Sequence, residues 1–163
     1  MVFDEELFQK AQKLFDLALK CNIKIVSAES CTGGLISALL TEISGSSQIF
    51  DRGFVVYSNL AKIQNLGVDA QILNNFGAVS EEVAKEMAIG AIKNSQANLS
   101  VATTGIAGPG GETVDKAVGL VYISSFNSLN QNLMIKRFNF TGKRSQIRTL
   151  AIYNAIEILL SQL

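Results

Sequence analysis

The sequence predicts a three-layer α/β/α sandwich around a mixed, mostly parallel sheet, and three observations carry that expectation. Short runs rich in Ile and Val alternate with longer segments of helical apolar spacing, the pattern of strands joined by helices that cover both faces of a sheet. The last two β-type runs follow one another across a short polar turn, which reads as a hairpin and makes the sheet mixed. The chain of 163 residues is 48% apolar and shows no internal repeat, low-complexity tract or linker, so one domain over residues 1–163 with its own core is expected.

Residues 4–21 place Leu7, Ala11, Leu14, Phe15 and Ala18 three to four positions apart, with acids in the first turn and Lys20 in the last, as an amphipathic helix does. Ile23 to Ala28 reads as a short buried strand. Glu29-Ser30-Cys31-Thr32-Gly33-Gly34 interrupts it and Leu35 to Ile43 resumes helical spacing, giving strand, glycine-containing elbow, helix. A Ser- and Gly-rich loop, Ser44 to Ser47, leads to a second strand at Gly53 to Tyr57. Ser58 and Asn59 are N-cap residues for a short helix ending at Gly67, and another helix starts near Ala70. After Gly77, Ser80-Glu81-Glu82 offers a cap and two acids at the positive end of a helix that runs to about Asn94. Leu99 to Thr104 is the third strand. It enters Gly105-Ile106-Ala107-Gly108-Pro109-Gly110-Gly111, where four glycines and the chain's only proline mark a special backbone conformation rather than a spacer. Val118 to Phe126 and Leu133 to Phe140 form the hairpin, and a helix from about Lys143 to Leu160, with Ile147, Leu150, Ala151, Asn154 and Ile158 along one face, closes the chain.

Fourteen basic and fourteen acidic residues cancel, which argues against nucleic acid as the main partner. The first ten residues carry acids where a secretory leader carries basic residues, and no run has the length of a membrane span, so a cytoplasmic protein without a membrane partner is expected. Cys21 and Cys31 are too few and too far apart for a zinc site or a disulfide scaffold. Glu112 and Asp115 could touch a cation, yet no carboxylate cluster supports a metal site. Histidine is absent, which removes Ser-His-Asp and Cys-His catalysis and leaves Lys, Tyr, Asp or Glu as general base. From Lys116 to Ile156 there is no acidic residue, while Lys116, Lys136, Arg137, Lys143, Arg144 and Arg148 fall within it; the stretch is either a solvated face or a site for a small anion.

Ligands of open α/β sheets sit at the carboxyl ends of the parallel strands, where the elbow at Ser30, the turn at Tyr57 to Asn59 and the loop at Thr104 to Gly111 are expected to converge. Ser30 reads either as a helix N-cap or as an exposed hydroxyl beside amides that can hold an oxyanion or a phosphate. Without histidine, a serine nucleophile needs a neutral lysine, and Lys62, in the first turn after Tyr57-Ser58-Asn59, either serves or is a surface lysine. At an ordinary pKa only about 0.04% of such an amine is neutral at pH 7, so burial or a helix terminus must lower it. Cys31 is a second possible nucleophile if the helix N-terminus depresses its pKa, or else small buried filler. Arg144 and Arg148 lie one turn apart, a spacing suited to a phosphate and equally to a solvated face.

These residues also form an ordered set. Ala28-Glu29-Ser30-Cys31-Thr32-Gly33-Gly34, Gly45-Ser46-Ser47, Arg52 to Lys62, Gly77-Ala78-Val79-Ser80, Gly105 to Pro109 and Val118-Gly119 together resemble the signature of the CinA C-terminal domain family over about residues 7–162. The resemblance implies a five-stranded mixed sheet with helices on both sides, a homodimer or larger homo-oligomer, and no cofactor. Stand-alone members of that family include nicotinamide-nucleotide amidohydrolases, which convert nicotinamide mononucleotide to nicotinic acid mononucleotide and ammonia. Carried over by motif, the nucleophile falls on Ser30, the base on Lys62 and an assisting hydroxyl on Tyr57. The larger relatives have an additional N-terminal domain, whose activities are not expected of this chain. On this reading amides near Thr32, Gly33 and Gly34, with Thr104 and Gly105, stabilise the oxyanion, while Arg144 and Arg148 hold the 5′-phosphate. The family's usual Gly-Asp-Arg is Gly142-Lys143-Arg144 here, and its Lys-Pro-Val-Gly is Lys116-Ala117-Val118-Gly119; both departures fall on the expected phosphate side. A non-catalytic nucleotide- or phosphate-binding regulatory module is the alternative, as is an amidohydrolase for another small nucleotide. Binding alone does not need Ser30, Tyr57 and Lys62 together.

Overall fold

The computed structural model describes residues 3–163; Met1 and Val2, the start of the segment read against a secretory leader, lie outside it. Strand β1 (Ile25–Glu29) pairs in parallel with β2 (Phe50–Val55) on one side and β3 (Leu99–Gly105) on the other. The hairpin β4 (Leu120–Asn127) and β5 (Asn132–Asn139) continues the sheet beyond β3 by antiparallel pairing, giving the order β2-β1-β3-β4-β5. Only β4 therefore runs against the other strands, and the sheet is the mixed, mostly parallel one expected.

Alternation along the strands assigns the two faces. Ile25, Leu99, Val101, Val121 and Ile123 point into one core, which α1 (Glu5–Lys20), α2 (Leu35–Thr41) and α6 (Arg144–Leu160) cover. Val26, Ala28 and Ala102 point into the other, beneath α3 (Asn59–Leu66), α4 (Ala70–Phe76) and α5 (Glu81–Lys93). The helices start where local chemistry satisfies their first amides: Asp4, Ser58, Asp69 and Ser80 each accept a backbone N–H from the adjoining first turn. No helix of the described residues is long and apolar enough to cross a membrane.

Several boundaries and one helix face depart from the sequence reading: β1 starts at Ile25 rather than Ile23 and α2 ends at Thr41 rather than Ile43, and the ends of β2 and the start of β4 shift as well. Strand β2 starts at Phe50 rather than Gly53 and ends at Val55 rather than Tyr57, because it is an edge strand and its Asp51-Arg52-Gly53 carries no apolar signal. The strand expected from Val118 starts at Leu120: Gly119 sits at φ +96° and gives its N–H to the Ile106 carbonyl, so it belongs to the turn. On α6 the buried residues are Ile147, Ala151, Ile152, Ala155, Ile156, Ile158 and Leu159, whereas Leu150 is exposed. Helix α6 lies against both the sheet and α1, and that double contact turns a broader and slightly rotated face inward.

Helices α3 and α5 approach closely at Gly90, where an added Cβ would lie 2.1 Å from the Leu66 carbonyl oxygen. Gly90→Ala therefore separates the helices, and the expected cost of about 1–3 kcal/mol outweighs the gain of up to about 1 kcal/mol from better helix propensity. Thermal unfolding should show a Tm several degrees lower; an unchanged Tm would contradict the close packing.

Candidate active site

The elbow after β1 is set by backbone geometry. Ser30 gives its N–H to the Thr103 carbonyl at 3.0 Å, continuing the β1–β3 ladder for one residue, and the chain then turns so that Gly33 N–H meets the Ser30 carbonyl at 3.1 Å. Gly33 and Gly34 sit at φ +60° and +92°, the left-handed region that glycine enters without steric cost.

Glu29 anchors the start of α2. Its fully buried carboxylate accepts hydrogen bonds from the amides of Gly34 (2.9 Å), Ile36 (3.0 Å) and Ser37 (2.8 Å), and from the hydroxyls of Ser37 (2.7 Å) and Ser27 (3.2 Å). A carboxylate thus supplies the acceptors that the first turn of α2 lacks, at the positive end of its dipole. The sequence reading passes over this residue; the available signal is an acid ending a strand of otherwise uncharged residues directly before a helix.

Lys62 reaches the elbow from the opposite face of the sheet. It lies in the first turn of α3 and is 1% exposed, with Nζ donating to Ser30 Oγ at 3.1 Å, the Val56 carbonyl at 2.9 Å and the Tyr57 carbonyl at 3.4 Å. All three partners are uncharged, and burial holds the amine below its ordinary value of 10.5. Three acceptors match the three N–H bonds of the ammonium. In the neutral amine, two N–H bonds serve the carbonyls and the lone pair is left for the Ser30 hydroxyl.

Ser30, Lys62, Tyr57, Thr104, Gly105 and Arg144 line one cavity of about 270 Å³, closed on the far side by the loop from Ile106 to Gly111. Among the described residues that line it none is acidic, and the Arg144 guanidinium gives it a positive character. Thr104 Oγ1 donates to the Ala78 carbonyl at 2.7 Å and ties the end of β3 to the loop before α5. Gly105 has no room for a side chain, since an added Cβ would lie 2.7 Å from the Leu120 carbonyl oxygen. Arg144 spans the mouth, donating to the Gly108 carbonyl at 2.8 Å and to the Tyr57 hydroxyl at 3.1 Å. Tyr57 is 62% exposed, and its hydroxyl is held by Arg144 while its carbonyl is held by Lys62.

Other expected contributors stand elsewhere. Arg148 lines a separate cavity with Leu7, Leu35 and Ile152, and donates to the Thr32 carbonyl at 2.7 Å, so the structure does not pair it with Arg144. Thr32 is fully buried, its hydroxyl bonded to that of Thr103 at 2.7 Å. The amides of Gly33 and Gly34 are occupied by the Ser30 carbonyl and Glu29. Cys31 lines the cavity, but burial pushes its thiol up to about 11, the reverse of what a helix N-terminus does to an accessible cysteine. Glu112 and Asp115 are exposed on the outer loop.

Residues 7–163 match the family model of the CinA C-terminal domain. A competence-damage inducible protein of Acetivibrio thermocellus is 46% identical over 156 residues, 96% of this chain and 37% of the relative. One of Caldicellulosiruptor saccharolyticus is 47% identical over 144 residues, 88% of this chain and 34% of the relative. The chain thus spans about a third of the length of these curated relatives. Solved structures match along nearly their whole length. The competence/damage inducible protein CihA of Agrobacterium tumefaciens superposes with a TM-score of 0.95 at 42% identity, covering 98% of this chain and 96% of that one. A CinA superfamily protein of Escherichia coli gives 0.93 at 29% identity, covering 99% and 94%.

Glu29→Gln puts an NH2 group among donors in a buried site and should destabilise the protein by about 1–3 kcal/mol, read as a lower urea midpoint. Lys62→Met tests the burial of the amine. In the unfolded chain Lys62 titrates at 10.5, in the folded protein lower, so between the two values only the unfolded state holds the proton. The parent's stability relative to the Met variant should accordingly rise as pH goes from 7 towards 10. A pH-independent difference in urea unfolding would show that the amine titrates normally.

Proposed function

The chain belongs to the family of the CinA C-terminal domain, and from that premise we propose that it is a nicotinamide-nucleotide amidohydrolase of the Ser/Lys type, converting nicotinamide mononucleotide to nicotinic acid mononucleotide and ammonia. The observation that supports this most directly is Lys62 Nζ, 1% exposed and without a charged partner, 3.1 Å from Ser30 Oγ. A lysine held in that way is a base for a serine hydroxyl, and a binding protein gains nothing from it.

In this reaction neutral Lys62 takes the Ser30 proton as Oγ attacks the carboxamide carbon. The oxyanion that forms is assigned to backbone N–H groups at the cavity other than those of Ser30, Gly33, Gly34 and Ile106, which already have partners. The Lys62 ammonium then protonates the departing nitrogen, the C–N bond breaks and ammonia leaves an acyl-Ser30. Water, deprotonated by Lys62, attacks the acyl carbon and releases the carboxylic acid and the Ser30 hydroxyl. Each step uses a proton already on Ser30, Lys62 or water, so the chemistry asks for no cofactor. The phosphate of the substrate is assigned to Arg144, with Tyr57 beside it at the mouth. A cavity with the Arg144 guanidinium at its mouth and no acid among its described lining residues suits a phosphate monoester.

Ammonia release from nicotinamide mononucleotide, with EDTA present, tests the proposal. Turnover should survive chelation and fall by about 10³-fold or more in Ser30→Ala and in Lys62→Ala with the fold retained. Arg144→Ala should raise KM by at least about tenfold. The kcat/KM profile should rise with pH as Lys62 loses its proton, with a midpoint below 10.5. Retained activity in either Ser30→Ala or Lys62→Ala would sink the dyad. No release by folded wild-type protein would overturn the proposal in favour of a phosphate-binding module.

A further inference from the structure

Arg148 has no place in the cavity that holds Ser30 and Lys62, yet it touches the nucleophile's own backbone through one peptide unit. Its Nη2 donates to the Thr32 carbonyl at 2.7 Å, and the N–H of that same peptide, carried by Gly33, donates to the Ser30 carbonyl at 3.1 Å. A donor on the oxygen of a peptide polarises its N–H and strengthens the bond that the N–H makes, so guanidinium, peptide and Ser30 carbonyl form a cooperative chain. Gly33 is cut to fit it: a Cβ there would lie 3.3 Å from Arg148 Nη2, and φ +60° already disfavours any side chain. The Thr32–Thr103 hydroxyl pair and Ser30 N–H on the Thr103 carbonyl hold its β3 side, Glu29 holds the Gly34 amide, and Lys62 reaches Ser30 Oγ from α3. Arg148 supplies a hydrogen bond that ties it to α6, across 116 residues of sequence.

We infer that Arg148 is a positioning residue for Ser30, acting through the Thr32–Gly33 peptide, and not a contact of the substrate phosphate. The inference rests on the Ser/Lys reading above and assigns the two arginines of α6 different tasks: Arg144 meets the ligand and Arg148 holds the turn that aims the nucleophile.

The test uses the full chain as wild type, Arg148→Ala and Arg148→Lys, with three readouts. These are the rate at which a fluorophosphonate modifies Ser30, followed by intact mass, the separate kcat and KM for nicotinamide mononucleotide, and Tm. In Arg148→Ala, labelling and kcat should both fall by about tenfold while KM stays within twofold. Arg148→Lys, which keeps the charge and one donor, should recover part of the loss. A raised KM with unchanged labelling would make Arg148 a ligand contact and overturn the inference, as would labelling, kcat and KM all unchanged. If Arg148→Ala does not fold, Arg148→Lys decides: slower labelling at unchanged KM supports the role, and unchanged labelling removes it. Wild-type protein that is neither labelled nor active would remove the Ser/Lys reading first, whereas labelled wild type with equally labelled variants would remove only the role of Arg148.

Discussion

Placing an amine in a dry site without a counter-charge is the constraint on which the rest of this structure depends. A buried ammonium is costly, and the site makes it tolerable with two backbone carbonyls and a hydroxyl rather than with a carboxylate. An acid beside Lys62 would hold the proton on and cancel the effect of burial on the amine. The chain does own a buried acid next to Ser30, but Glu29 points to the other face of the sheet, where the amides of α2 take up its charge. Strand alternation separates the two: β1 turns Glu29 towards α2, while Lys62 arrives from α3 on the opposite layer. Ser30 stands at the seam between them. Three layers are therefore a condition of the Ser30–Lys62 arrangement as well as of the packing.

The same constraint explains the end of β2. Val56 and Tyr57 must present their carbonyls to Lys62, so the strand stops at Val55 and the chain turns back into α3 through the Ser58 cap. That turn also brings the Tyr57 hydroxyl to Arg144 at the mouth, which links the floor of the cavity to its rim. On the other side Thr104 and Gly105 end β3 tightly enough that the Gly-rich loop folds over the cavity rather than away from it.

How much of this can be read from the sequence depends on whether the signal is local. The caps at Ser58 and Ser80, the glycine elbow and the hairpin are local, and they are legible. The meeting of Ser30 and Lys62 is not local, but a rule of topology reaches it, because both lie beyond the carboxyl ends of neighbouring parallel strands. The start of β2 is hidden, since an edge strand needs no apolar alternation. Cys31 misleads because the rule for helix N-termini assumes access to the dipole: α2 begins only at Leu35, Glu29 occupies its first amides, and burial of the thiol outweighs the hydrogen bond it has with Thr103. Arg144 and Arg148 share a helix face, as their spacing says. The rise of about 6 Å between them nevertheless carries one to the loop and the other to the elbow.

Helix α6 also shows where a departure from the family pattern falls. Position 143 is the N-cap, where an aspartate can accept an orphan amide and complement the helix dipole; Lys143 can do neither. Gln146 compensates in part, folding back so that its Oε1 accepts the Lys143 N–H at 2.8 Å over Gly142, whose missing side chain leaves the room. The exchange weakens the start of the helix and adds a positive charge one residue from Arg144, at the mouth an anion would enter. It leaves Ser30, Lys62 and the Thr32–Arg148 contact untouched. The difference is therefore one of helix capping and of the field that meets an incoming ligand, and the geometry that would break the amide bond does not depend on it.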